Sequence, residues 1–83
     1  MTLLIPPGVA KQMAAMPKAD ARRLLARLTA IAEAPAELHA NVLALAGRPG
    51  VYRVRQGDWR AVFRVEESDV VVIRVAHRRE VYK

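Results

Sequence analysis

An α+β fold, with a short N-terminal strand and a two-helix hairpin packed on a curved antiparallel sheet in the order β-α-α-β-β-β, is predicted by three features of the sequence. Apolar residues in the first half recur at helical spacing, those after Gly50 alternate at strand spacing, and proline or glycine stands at the junctions. Eighty-three residues are enough for one domain and too few for two, so residues 1–83 are read as one unit. With no cysteine and no Cys/His cluster, its core must rest on aliphatic packing.

Thr2–Ile5 reads as a strand stopped by Pro6, Pro7 and Gly8, which break ladder and helix alike at that point. Val9–Met16 reads as a short helix because Val9, Met13 and Met16 fall at i, i+4 and i+7, with Pro17 closing it. Lys18–Ala34 is the clearest helix: Ala21, Leu24, Leu25, Leu28, Ile31 and Ala32 form one stripe, Arg22, Arg23 and Arg27 lie off it, and Pro35 ends it. Ala36–Ala46 lacks a clean period and reads as a loop with a helical turn. Gly47, Pro49 and Gly50 then lead into three strands, Val51–Arg55, Trp59–Glu66 and Val70–Ala76, with a hairpin turn at Gln56–Asp58.

The formal charge of +6 is carried by eleven arginines and three lysines, a balance that favours bidentate recognition of phosphate or carboxylate. Coding bias can also replace lysine with arginine throughout a chain, so position rather than count carries the argument. The opening MTLLIPPG is unlike a secretory leader, and no run approaches the roughly 20 apolar residues of a membrane span. The expectation is a cytoplasmic protein with no membrane contact.

Strand alternation sorts the second half into two faces. Tyr52 and Val54, then Trp59, Ala61, Phe63 and Val65, then Val71, Ile73 and Val75 are expected to cover the helices, with Val72 on the opposite side. Arg53, Arg55, Arg60, Arg64 and Arg74 then share that outer face. An antiparallel sheet with one wet face carries charge there in any case. Five cations with few acids among them also repel one another, however, a cost that a polyanion such as RNA relieves.

His77, Arg78, Arg79, Glu80 and Tyr82 follow on the last strand, at the rim of the arginine face. Cleaving RNA requires deprotonation of a 2′-hydroxyl, stabilisation of a pentacovalent phosphorane and protonation of the departing 5′-oxygen. Arginines suit the second task. A tyrosine among cations can approach the first, since positive charge favours phenolate; the plainer role for Tyr82 is stacking on a base. His77 is an alternative acid or base, although parity turns it towards the helices and a structural role.

The ordered run GRPGVYRVRQGDWRAVFRVEESDVVVIRVAHRREVY, Gly47 to Tyr82, resembles the RelE/ParE superfamily of toxins from type II toxin–antitoxin pairs. Its G-x-P-G turn, YRVR strand, GD-W-R hairpin and HRREVY tail are each unspecific and together specific. The resemblance implies the fold above and a RelE-like activity: cleavage of messenger RNA in the ribosomal A site through its own 2′-hydroxyl, with no metal or cofactor. It implies catalytic roles for Arg60, Arg78 and Tyr82, and RNA binding by Arg53, Arg55, Arg64, Arg74, His77 and Arg79. Arginine at 53 and 55, where lysines are common in the family, departs from its pattern, because guanidinium is a poor proton donor. An acidic, partly disordered antitoxin is the implied partner, beside the ribosome and its messenger. Two rival expectations are a ParE-like protein that inhibits DNA gyrase without cutting nucleic acid, and a degenerate homologue that only binds.

Overall fold

The structure, a computed structural model, describes residues 1–34 and 39–80. Its elements are β1 (Thr2–Leu4), α1 (Pro7–Ala14), α2 (Lys18–Glu33), β2 (Val42–Ala44), β3 (Val51–Gln56), β4 (Trp59–Val65) and β5 (Asp69–His77). The sheet runs β1-β5-β4-β3-β2, and both helices pack on one of its faces. This is the expected α+β class. Among the described residues no helix is long and apolar enough to cross a membrane.

Three local expectations are corrected. The prolines after β1 do not exclude a helix there: Pro7 begins α1, because a first-turn residue has no intrahelical use for its missing N–H. The loop expected over Ala36–Ala46 contains β2, whose Val42, Leu43 and Ala44 pair antiparallel with Val54, Arg53 and Tyr52; positions 35–38 lie outside the described residues. Three residues are too few to show a period, so pairing with β3 rather than local pattern makes them a strand. Asn41 introduces it with φ +64°, a left-handed conformation that asparagine tolerates. The sheet is also mixed, since β1 joins β5 in parallel register, Leu3 beside Val70.

The core joins Val9, Met16, Leu24, Leu28, Ile31 and Ala32 to Val54, Ala61, Phe63, Val70, Val72 and Val75. Leu25 is 41% exposed and leaves the expected stripe, being turned about 100° around the helix from the fully buried Leu24. A larger correction concerns β5. Phe63 stands opposite Val72 while Val62 stands opposite Arg74, so Ile73 is an extra residue, a β-bulge. It resets the alternation: Val70 and Val72 point inward with Val75, whereas Val71 and Ile73 do not join the core. Beyond the bulge the phase matches the sequence reading again, leaving Arg74 outward and His77 inward beside Trp59.

The β3–β4 turn is Gly57–Asp58 alone, one residue shorter than expected. Left-handed φ is confined to Gly57 at +61°, the pattern of a type II′ hairpin. A Cβ there meets no atom within 4 Å. Gly57→Ala is therefore expected to cost only conformational strain, about 1–2 kcal/mol, measurable by urea unfolding; a larger loss would mean that the turn is clamped by contacts beyond its backbone.

Candidate nucleic-acid interface

The outer sheet face is organised around Val62, which is only 9% exposed despite facing away from the core. Arg53 and Arg74 flank it on the neighbouring strands, and two pairs further along Arg60 lies between Arg55 and Ala76. Aliphatic arginine stems cover such a residue while their charged ends stay in water. Arg55 and Arg60 are directly cross-strand, where like charges destabilise an antiparallel pair.

Individual hydrogen bonds set the direction of each guanidinium. Arg60 Nη1 donates to the carbonyls of Gly57 and Trp59, both at 3.0 Å. Arg55 Nη2 donates to Asn41 Oδ1 at 3.3 Å, and Arg74 Nη2 to the Glu80 carbonyl at 3.0 Å. These acceptors are neutral, and among the described residues no carboxylate forms an ion pair with Arg55, Arg60 or Arg74. The Arg60 pKa is consequently held below its ordinary value, by desolvation first and then by Arg55, Arg53 and Arg78, with Asp58 opposing the shift. An anion placed here would relieve that repulsion.

Arg78 reaches the same hairpin from the other side. Its Nε lies 3.6 Å from Asp58 Oδ1, and its main-chain N–H donates to the Asp58 carbonyl at 2.7 Å. The turn thus holds Arg60 through Gly57 and Arg78 through Asp58, bringing together two residues that stand eighteen positions apart. Arg64, at the opposite end of the face, is committed to Glu66 at 2.7 Å. Arg79 is exposed in the turn after β5, where its main-chain N–H donates to His77 Nδ1 at 3.3 Å. Tyr82 lies outside the described residues.

His77 is half-buried against Trp59, the rings 5.5 Å apart and nearly perpendicular. The Trp59 indole N–H donates to Asp20 Oδ2 of α2 at 3.2 Å. Sequence reading did not find Asp20, Asn41 or Asp58 as supports. Only the G-D turn signal pointed near one of them, and it does not say that Asp58 meets Arg78. Among the described residues no three His, Asp or Glu side chains gather where a metal ion could be held. What the face can do chemically is bind an oxyanion with several guanidinium forks, two of them focused on one turn.

A sequence model of the family described as ParE toxin of type II toxin-antitoxin system, parDE, matches residues 5–82. No curated protein sequence matches the chain. Among solved structures, the archaeal RelE-RelB complex from Pyrococcus horikoshii OT3 superimposes with TM-score 0.80 at 25% identity, covering 96% of this chain and 97% of that one. The isolated E. coli RelE toxin gives 0.78 at 26%, covering 98% and 89%. The RelB-RelE antitoxin-toxin complex from Methanococcus jannaschii gives 0.77 at 20%, covering 95% and 94%, a likeness of fold.

Proposed function

The chain belongs to the ParE toxin family of type II toxin–antitoxin systems, and from that premise we propose that it is a RelE-like toxin, a ribosome-dependent endoribonuclease that cuts messenger RNA without a metal. The observation that carries this reading is the convergence of Arg60 and Arg78 on the Gly57–Asp58 turn, with Arg55 opposite Arg60. A surface meant only for solubility gains nothing from gathering two guanidiniums at one turn.

In the proposed reaction the ribose 2′-hydroxyl attacks the adjacent phosphorus and the 5′-oxygen departs. Arg60 stabilises the charge that develops on the phosphorane, and Arg78 contacts the scissile phosphate or assists the leaving 5′-oxygen, which departs as a hydroxyl with a proton taken up from water. Tyr82 is assigned proton acceptance or orientation of the nucleotide. Arg53, Arg55 and Arg74 hold the flanking backbone, with Arg64 and Arg79 at its margins. The ribosome supplies the messenger in an extended form. A cognate antitoxin is the partner, as in the RelB-RelE complexes, and an acidic, partly disordered one suits this basic face.

Induction of the chain without its antitoxin is expected to arrest translation and to produce cuts inside messengers engaged by ribosomes, mapped by primer extension. The family description, ParE, favours a second reading as a gyrase inhibitor. Intact messengers with accumulating double-strand DNA breaks would establish that reading in place of the first.

A further inference from the structure

On the inner side of the strand ends that carry Arg60 and Arg78 lies an open cleft of about 350 Å³, bounded by Gln12, Trp59, Arg74, His77 and Glu80. Its size is within the range of small-ligand sites, on the order of 300–1,000 Å³. We infer that this cleft is a nucleobase subsite, selective for bases that present carbonyl acceptors, and that it receives a base next to the phosphate held by Arg60 and Arg78. The inference rests on the nuclease reading for the identity of the polymer.

Its walls have the required chemistry. Trp59 and His77 supply planar rings, and the indole is held in place through Asp20. An indole so fixed stacks on a base without first losing rotamer freedom, and the perpendicular His77 ring meets that base edge-on. The polar groups are chiefly donors. Gln12 Oε1 accepts the Val75 N–H at 2.9 Å, which fixes the amide; among the described residues its NH₂ group has no partner. His77 Nδ1 accepts the Arg79 N–H, so a neutral ring carries its proton on Nε2 and donates there. Against one acceptor, the Glu80 carboxylate, these donors match the O6 and N7 edge of guanine or the carbonyls of uracil better than the amino edge of adenine.

Position supports the same conclusion. Trp59 precedes Arg60 and His77 precedes Arg78 on paired strand ends, Trp59 standing opposite His77. A base held in the cleft reaches the two arginines around the end of the sheet, since Trp59 and Arg60 point to opposite faces of β4.

Trp59 is the single tryptophan, so its indole N–H gives one cross-peak in a ¹H–¹⁵N spectrum of the whole chain. Titration with GMP or UMP is expected to shift that peak, AMP to bind about five- to tenfold more weakly, and ribose 5-phosphate to leave it unmoved. Gln12→Glu keeps an oxygen for the Val75 N–H and removes the amide donors; it is expected to weaken GMP binding about tenfold with an unchanged melting temperature. Equal shifts by AMP, GMP and ribose 5-phosphate would overturn the assignment. A shift produced by an aromatic peptide amide and by no nucleotide would also overturn it, and assign the cleft to a protein partner. Base-dependent shifts without messenger cleavage would preserve the subsite and remove the nuclease reading, while cleavage without such shifts would do the reverse.

Discussion

Arg60→Ala is expected to lower single-turnover cleavage of ribosome-bound messenger by about 10²–10³-fold, corresponding to roughly 3–4 kcal/mol of lost transition-state stabilisation. Arg60 is singled out because the Gly57 and Trp59 carbonyls fix its guanidinium while three neighbouring cations press on its charge. A group preorganised in that way interacts most strongly with the dianionic phosphorane and less with the ground-state phosphate. Ribosome affinity should therefore change little. Folding stability should be equal or higher, since the substitution removes one half of the repulsive Arg55–Arg60 pair. Arg55→Ala supplies the contrast, with weaker binding and a salt dependence reduced by about 0.7 in slope for one lost contact to a single strand. Quench-flow cleavage measured beside ribosome binding separates the two effects. A parallel loss of binding and cleavage in both variants would reduce the face to an electrostatic platform.

Phe63→Ala is expected to cost about 3–5 kcal/mol, the largest single effect on stability. Phe63 is 1% exposed and the largest of the fully buried side chains, with the Tyr52 ring 5.6 Å from it between centroids. It sits opposite Val72, next to the bulge, so its removal opens a cavity at the centre of the core. Native proteins have stabilities of about 5–15 kcal/mol, and short chains bury too little surface to reach the upper end. The variant should thus lose most of its folded population at 37 °C. Ile73→Thr, at a residue 38% exposed on the same strand, should stay within about 0.5 kcal/mol. Urea unfolding of both checks this, and equal losses would show that the bulge, rather than the core, limits stability.

The helices and three long strands were legible because each has more residues than one period of its own pattern. The stripe through Leu24, Leu28, Ile31 and Ala32 implies a helix face in any context, and the alternation around Arg53, Arg55, Arg60 and Arg64 separates the charges from the core. β2 was not legible, because Val42–Ala44 is too short to show a period and, unlike the equally short β1, is not marked off by prolines. Val71 and Ile73 were misplaced for a different reason. A period of two assumes an uninterrupted ladder, and one bulged residue shifts every side chain beyond it by half a period. Arg74, Val75 and His77 keep their expected faces because they lie beyond the bulge, where the observed phase is the expected one.

For the candidate site, local alternation and chain order were enough to show that a set of arginines shares one sheet face and that His77, Arg78 and Arg79 follow at its rim. Which of these cations stand together depends on contacts between distant segments. Arg78 joins Arg60 because the end of β5 returns to the β3–β4 turn, where Asp58 holds it through main chain and side chain. Arg64 is drawn away by Glu66, and Trp59 is fixed by Asp20 from 39 positions earlier. Such contacts depend on how far separate segments are carried past one another in space, a quantity that a repeating pattern along the chain does not record.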